Sequence, residues 1–250
     1  MTVRPGARAS VFEPDPILGQ PLDNFVSDRL RLLIIAGVAV LGIGLFLNFT
    51  VGAIQEGWGP PLTVLLTAGV VLAAGWGVLH WWNREIILYE RGFTVGEGAR
   101  VVPVLYDEVA RVRLQAERVS YLGLFQHDRF RCTLVTIHDE TIVISGWYRR
   151  AGELGTRLNA LVDAALRPQV EARLAAGETV AFGGDLALSA AGIVHDGHTL
   201  DWGEYGGYRV ADRQLTVLDA AGNPWASAPL AGIDNLTLLV ALLRERRSPG

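Results

Sequence analysis

The sequence is poor in several residue types, and each scarcity excludes a class of protein. Cys132 is the single cysteine, so no disulfide can form within the chain. None of the 22 basic residues is a lysine, and the net charge of −4 argues against general nucleic-acid binding. The chain contains no Gly-x-Ser-x-Gly, P-loop or paired metal-ligand motif. We therefore expect a non-enzyme that has no cofactor and no metal.

Apolar sequence is abundant: half of the residues are hydrophobic and the mean hydropathy is +0.28. Two runs, 32–51 and 61–82, carry no charge if His80 is neutral, and each is long enough to cross a hydrocarbon core of about 30 Å. We expect a transmembrane helical hairpin over 29–83 with these two spans, preceded by a disordered cytoplasmic tail over 1–28. A pair of buried helices in a soluble protein is the alternative.

The distribution of arginine predicts the orientation of this hairpin. Arg29 and Arg31 precede the first span and Arg84 follows the second, whereas the connecting loop has no basic residue. The positive-inside rule then places both termini in the cytoplasm of a cell (inner or plasma) membrane. Aromatic residues at the ends of the spans are expected to anchor them at the two interfaces: Trp58, Trp81 and Trp82.

Small residues recur every four positions in the second span, at Gly69, Ala73 and Gly77. Such spacing lets two helices approach closely. Packing against the first span is the interpretation that we favour, because that partner is tethered within the chain. A homo-oligomer formed through the transmembrane helices is the alternative.

The remainder of the chain contains a repeat. "LYERGFTV" (88–95) corresponds to "LSAAGIVH" (188–195), and "YDEV" (106–109) corresponds to "WGEY" (202–205). A β-rich pair follows each motif, and an amphipathic helix closes each unit. The first closing helix is predicted over 151–167, broken at Pro168 and restarted until Gly177; the second begins at an Asp234 or Asn235 cap. We expect a first module over 84–177 and a second over 178–247.

This order of elements resembles the bacterial pleckstrin-homology-like (PH-like) domain. Attached directly to two spans, it is similar to uncharacterised membrane-anchored bacterial proteins of that kind. The resemblance implies an α+β membrane protein in which the hairpin precedes two tandem PH-like β-barrels or sandwiches, each capped by a C-terminal helix. The second module is short for this fold, and whether it is a complete barrel is left open. The loops "VGEGAR" (95–100) and "HDGHTLD" (195–201) are too poor in cations for a phosphoinositide pocket.

Two weaker sites remain as candidates. Four arginines are expected on one strand face, either binding anionic lipid or simply facing water: Arg111, Arg113, Arg129 and Arg131. "HDGH" (195–198) has two histidines, but turn-forming residues favour a hairpin turn over a metal site. Cys132 is expected to be a buried, inert strand residue.

These observations favour a non-catalytic, membrane-anchored cytoplasmic scaffold that presents the two modules to protein partners of unknown identity or to the inner leaflet. The alternative is an oligomeric transport or channel subunit built from the hairpin, and a third hypothesis is an enzyme that uses "HDGH". No spacer separates the second span from the strand that begins near residue 84, so we expect the first module to be held rigidly beside the bilayer.

Overall fold

The computed structural model describes residues 13–55, 60–97, 100–121 and 125–246, which form a mixed α+β structure with four antiparallel sheets. These residues fall into two compact units. The first runs up to Val104 and also contains Trp147–Arg150, and the second contains Leu105–Gly146 and the chain from Ala151 onward. This division does not coincide with the expected module boundary at 177/178.

The first unit contains one antiparallel sheet in the order β1-β2-β3-β4 and two helices that contact each other. In the chain, both helices lie between β1 and β2. The elements are β1 (Pro21–Val26), α1 (Arg29–Gln55), α2 (Pro60–Trp82), β2 (Arg84–Tyr89), β3 (Gly92–Glu97) and β4 (Arg100–Leu105).

Strand β1 corrects the expectation of a disordered tail over 1–28. It pairs antiparallel with β2 from Pro21 opposite Tyr89 to Val26 opposite Glu85, and Phe25 is only 1% exposed. Prolines in this segment concealed the strand, yet Pro21 is its first residue, a position at which a missing N–H is tolerated. Residues 1–12 of the expected tail lie outside the described residues.

Only one of the two expected spans is supported by length and hydropathy in the described part of the chain. Arg29–Phe49 of α1 has a mean hydropathy of 2.5, and 6% of its most apolar stretch is buried within the protein. The apolar stretch of α2 that can be described, Ala68–Trp82, is shorter. The second span therefore stays a prediction.

In the second unit, a three-stranded sheet packs against a long helix. The elements are β5 (Val109–Tyr121), β6 (Phe125–Thr136), β7 (Thr141–Ser145) and α3 (Ala151–Ala175). Cys132 and Leu134 on β6 are fully buried, which confirms the interpretation of Cys132 as a core residue. The register shifts between Val109 and Arg111, so Val109 and Val112 are both buried, although strict alternation would place residues three positions apart on opposite faces.

Helix α3 does not break at Pro168, contrary to the prediction. Its buried residues follow a four-residue period through the proline: Leu154, Leu158, Val162, Leu166, Val170 and Leu174. Burial of this continuous stripe offsets the one backbone hydrogen bond that a helical proline cannot make. Beyond the helix, Gly177 adopts φ +81° and its N–H bonds the Leu174 carbonyl, which is the expected glycine termination.

The second module has the same order of strands and closing helix as β1–β7 and α3. A four-stranded sheet in the order β11-β10-β9-β8 is followed by the three-stranded sheet β12-β13-β14 and a helix. The elements are β8 (Val180–Gly183), β9 (Leu186–Leu188), β10 (Gly192–His195), β11 (His198–Asp201), β12 (Tyr205–Ala211), β13 (Gln214–Asp219), β14 (Pro224–Pro229) and α4 (Leu236–Arg246). Its short sequence therefore omits no strand relative to β1–β7, because its strands and turns are shorter.

The two apolar helices α1 and α2 occupy a defined position in the repeat. β8 and β9 are joined by the two residues Gly184 and Asp185, whereas the corresponding strands β1 and β2 are joined by α1 and α2. The apolar helices thus occupy the position of a tight hairpin turn. α2 ends at Trp82 and β2 begins at Arg84, so no linker separates the helix from the strand.

Candidate functional site

The first residues of α1 and the last residues of α2 lie together at the end of the β1–β2 strand pair. The Ser27 N–H donates to the Arg84 carbonyl at 3.1 Å, and Ser27 Oγ donates to the Trp82 carbonyl at 2.9 Å. Asp28 caps α1, since its Oδ1 accepts a hydrogen bond from the Arg31 N–H at 3.2 Å. The β1–β2 pairing therefore continues into the helix ends.

A segment from further along the chain covers the other edge of β1. The Asp28 N–H donates to the Trp147 carbonyl at 2.7 Å, and the Arg149 N–H donates to the Val26 carbonyl at 2.9 Å. Ser27 forms an antiparallel bridge with Tyr148. β1 is thus hydrogen-bonded on both sides, which places Trp147 beside the helix ends.

Four planar side chains stack across these ends. The Arg31 guanidinium lies 4.4 Å from the centre of the Trp147 ring, which lies 5.4 Å from the Trp81 ring, and Arg84 covers Trp81 at 3.9 Å. Arg29 lies 5.7 Å from the Trp82 ring. Cations over indole faces are held by the ring quadrupole, so this stack links α1, α2 and the 147–150 segment. We call the set the collar: Arg29, Arg31, Trp81, Trp82, Arg84 and Trp147.

The collar marks a change in surface chemistry. Leu30, Trp76 and Leu79 beside it are about two-thirds exposed, as are many apolar side chains along α1. His80 connects the two zones, because its ring stacks on Trp76 at 5.2 Å and its Nε2 lies 2.9 Å from Arg84 Nη2. An apolar surface bordered by tryptophans and arginines is typical of the boundary between hydrocarbon and headgroups.

The sequence identified only part of the collar. Trp81 and Trp82, which were expected at a membrane interface, both lie in the collar, and their position at an interface stays a prediction; Trp58 lies outside the described residues. Trp147 was missed, because it lies about 65 residues from Trp82 in the chain. Its signal was "WYRR" (147–150), which has the same mixture of aromatic and basic residues as "HWWNR" (80–84).

The arginine face of β5 and β6 is only partly available. The register pairs Gln115 with Arg131 and Glu117 with Arg129, so these arginines lie in register with the row of Arg111 and Arg113. Arg113, however, donates from Nε and Nη2 to Asp234 Oδ1 at 3.0 and 2.7 Å. Arg111 also lies 3.9 Å from Asp139, and the side chain of Arg129 is not among those described, so binding of an anionic lipid by this face stays a prediction.

The small residues of α2 lie on an open part of the helix surface. A Cβ placed on Gly69 or on Gly77 would meet no atom within 4 Å, and Ala73 is exposed. Packing of these residues against α1 and a homo-oligomer through the same face both stay predictions.

Asp234 and Asn235 do not act as the expected helix caps but join the second module to β5. Asn235 Oδ1 accepts from the Val112 N–H at 2.8 Å, and its Nδ2 donates to the Ala110 carbonyl at 3.1 Å. The Asn235 N–H donates to the Val112 carbonyl at 2.8 Å. Asn235 thus pairs with β5 as a neighbouring strand would, closing part of an open sheet edge.

The histidine turn and the acidic cleft are the two places where the described residues bring together groups of the kind that catalysis uses. "HDGH" forms a two-residue turn with Asp196 at φ +49° and Gly197 at φ +77°, as the hairpin prediction requires. No group of three or more His, Cys, Asp or Glu in the described ranges could hold a metal ion. A cleft of about 360 Å³ between α3 and α4 contains Glu171 and Glu245, but Arg167 binds both carboxylates.

The fold and the collar define a class of protein: two apolar helices inserted into the first β-hairpin of a duplicated sheet-and-helix chain. The chain belongs to the family of unknown function DUF6585, which it matches over residues 14–249. The match begins before β1 and therefore includes the strand that precedes α1. No curated protein and no solved structure matches the chain.

Proposed function

We propose that this protein is a non-catalytic, membrane-anchored scaffold in which two PH-like modules lie on the cytoplasmic side of a membrane. The order of four strands, three strands and a C-terminal helix, present in both halves, supports the PH-like assignment. The modules would bind protein partners through sheet edges and through surfaces beside the closing helices.

The exposure of α1 supports the membrane anchor. A core helix of a soluble protein would be largely buried, whereas 6% of the most apolar stretch of α1 is buried. A cleaved signal sequence is disfavoured, because cleavage after α1 would remove β1, which contributes the buried Phe25 to the first sheet. Together with the apolar composition of α2, these facts favour a two-span hairpin.

One observation carries the proposal: the helices leave and return through adjacent strands of one hairpin. Because Ser27 bonds both Trp82 and Arg84, the cytoplasmic ends of both spans would be fixed to the first sheet. The sheet would therefore sit against the bilayer rather than on a flexible tether. By the positive-inside rule, the arginines of the collar favour the cytoplasmic side for this end.

Cysteine accessibility in intact cells tests the anchor. In a Cys132→Ala background, Gln55→Cys lies at the far end of α1 and Thr199→Cys lies on the exposed part of β11. An impermeant maleimide is expected to label Gln55→Cys directly and Thr199→Cys only after permeabilisation. Labelling of Thr199→Cys in intact cells, or recovery of the chain in the soluble fraction, would contradict the anchored topology.

The scaffold role has a separate test. Affinity purification of the full chain from native membranes is expected to recover partner proteins in stable stoichiometry. The control is the same purification after an Asn235→Ala change, which loosens the second module from β5. Recovery of no partner by the unaltered chain would remove the scaffold role while leaving the anchor intact.

A further inference from the structure

The arginines of the collar are held in defined positions on indole rings, which favours a binding function beyond membrane anchoring. Arg31 and Arg84 lie at the two ends of one aromatic stack, and Arg29 lies on the neighbouring Trp82. Three guanidinium groups, two from the start of α1 and one from the start of β2, therefore each lie on an indole ring of the collar. Stacking by the face leaves a guanidinium's N–H groups in the ring plane, where they can bind phosphate oxygens in pairs.

The charges around the collar favour an anion. Arg149 is exposed beside it, and three acidic residues lie on or next to β1, β2 and α1. Each of these carboxylates has a structural partner: Asp28 caps α1, Asp23 accepts from Arg150 at 3.3 Å, and Glu85 accepts from Asn24 at 2.6 Å. With Arg150 included, five arginines stand against these three carboxylates, so the surface retains a positive excess.

The apolar surroundings of these arginines favour a phospholipid over a soluble phosphate as the bound anion. Leu30, Trp76 and Leu79 are exposed and apolar immediately beside the arginines. A soluble phosphate would not use such a surface, whereas a phospholipid has acyl chains next to its phosphate. We propose that the collar is a binding site for anionic phospholipid headgroups, with Arg29 and Arg31 as the phosphate ligands and Arg84, whose Nη2 lies 2.9 Å from His80, adding positive charge beside them.

This inference rests on the proposed membrane anchor and names its lipid class. It also differs from the sheet-face prediction, since Arg113 on that face is bound to Asp234. The collar would select phosphatidylglycerol over phosphatidylcholine, because each cation near the surface gives about a fivefold preference for anionic lipid. Trp147 acts as a positioning residue, since it holds Arg31 by stacking.

Native mass spectrometry of the full chain in mild detergent tests the site. The protein is titrated with phosphatidylglycerol or phosphatidylcholine of identical acyl chains, and lipid-bound states are counted. Arg29→Gln/Arg31→Gln is expected to reduce the preference for phosphatidylglycerol by about fivefold for each arginine. Arg29→Gln alone, at an exposed position, keeps the test available if the double variant folds poorly.

The matched control is Arg111→Gln/Arg131→Gln, which removes the same charge from the exposed sheet face. It should leave the preference unchanged. Trp147→Leu should weaken the preference while retaining every cation, and Trp147→Phe should restore it. No preference in the unaltered chain, an unchanged preference in the collar variant, or its loss in the sheet-face variant would each overturn the assignment. Carbonate extraction of the same variants reports the membrane anchor separately.

Discussion

Replacing Asn235 tests whether a single side chain closes the edge of β5. Asn235 is 8% exposed, and its amide satisfies the Val112 N–H and the Ala110 carbonyl. Val112 itself is 2% exposed, so water cannot readily replace the lost partner. Asn235 also adopts φ +49°, a left-handed conformation that most side chains avoid.

These contacts determine how far substitution of Asn235 should lower the free energy of unfolding. Asn235→Ala removes two hydrogen bonds at about 1 kcal/mol each. It also places a Cβ with no polar group in the left-handed region, at about 1 kcal/mol. The free energy of unfolding should therefore fall by about 3 kcal/mol for alanine. For Asn235→Gly it should fall by about 2 kcal/mol, because glycine adopts positive φ without strain.

Hydrogen exchange of the full chain in mild detergent measures this effect where it should occur. Peptides that contain Val112 should exchange faster in Asn235→Ala, while peptides from β2 and β3 should be unchanged. Thermal unfolding followed by tryptophan fluorescence should rank the unaltered chain above glycine and glycine above alanine. A loss below about 0.5 kcal/mol with unchanged exchange at Val112 would refute the edge-closing role.

Three further predictions concern the core and the turns. Phe25→Ala should lower the free energy of unfolding by about 3–5 kcal/mol, because the ring is buried. An unchanged melting temperature would contradict the conclusion that β1 is part of the first sheet. Gly192→Ala should prevent correct folding, as judged by circular dichroism, because its Cβ would lie 2.0 Å from the Leu200 carbonyl oxygen. Gly203→Ala, where a Cβ meets nothing within 4 Å, is the control. Burial raises the pKa of Cys132 to about 12, so iodoacetamide at pH 8 should modify it only after denaturation. Between pH 9 and that value the unfolded thiol ionises and the folded one does not, so stability should fall as pH rises; rapid labelling of the folded chain would contradict this.

Local patterns predicted much of the fold because they report burial within one element. The repeat placed β2 with β9 and β3 with β10, and the "HDGH" turn was predicted from Asp196 and Gly197. The same reasoning failed at Pro168, because helix propensity is a local quantity. Burial of Val170 and Leu174 beyond the proline keeps α3 continuous, and that burial depends on the sheet it packs against.

Candidate residues were predicted less well than elements. Arg111 and Arg113 follow the expected alternation, but Arg113 binds a carboxylate 121 positions later in the chain. Asp234 and Asn235 have the composition of helix caps, and their side chains serve β5 instead. Capping residues and strand-edge partners use the same amide and carboxylate groups, so composition cannot distinguish them.

The apolar helices, the duplicated order of strands, the closing helices and the tight turns follow from the amino-acid sequence alone. Each of these depends on residues a few positions apart, which a periodic pattern or a turn dipeptide reports directly. That β1 completes the first sheet, that Trp147 joins the collar and that Asn235 closes β5 became apparent from the three-dimensional arrangement. Those features depend on hydrogen bonds and ring contacts between segments 55 to 125 residues apart, and no local preference specifies such pairings.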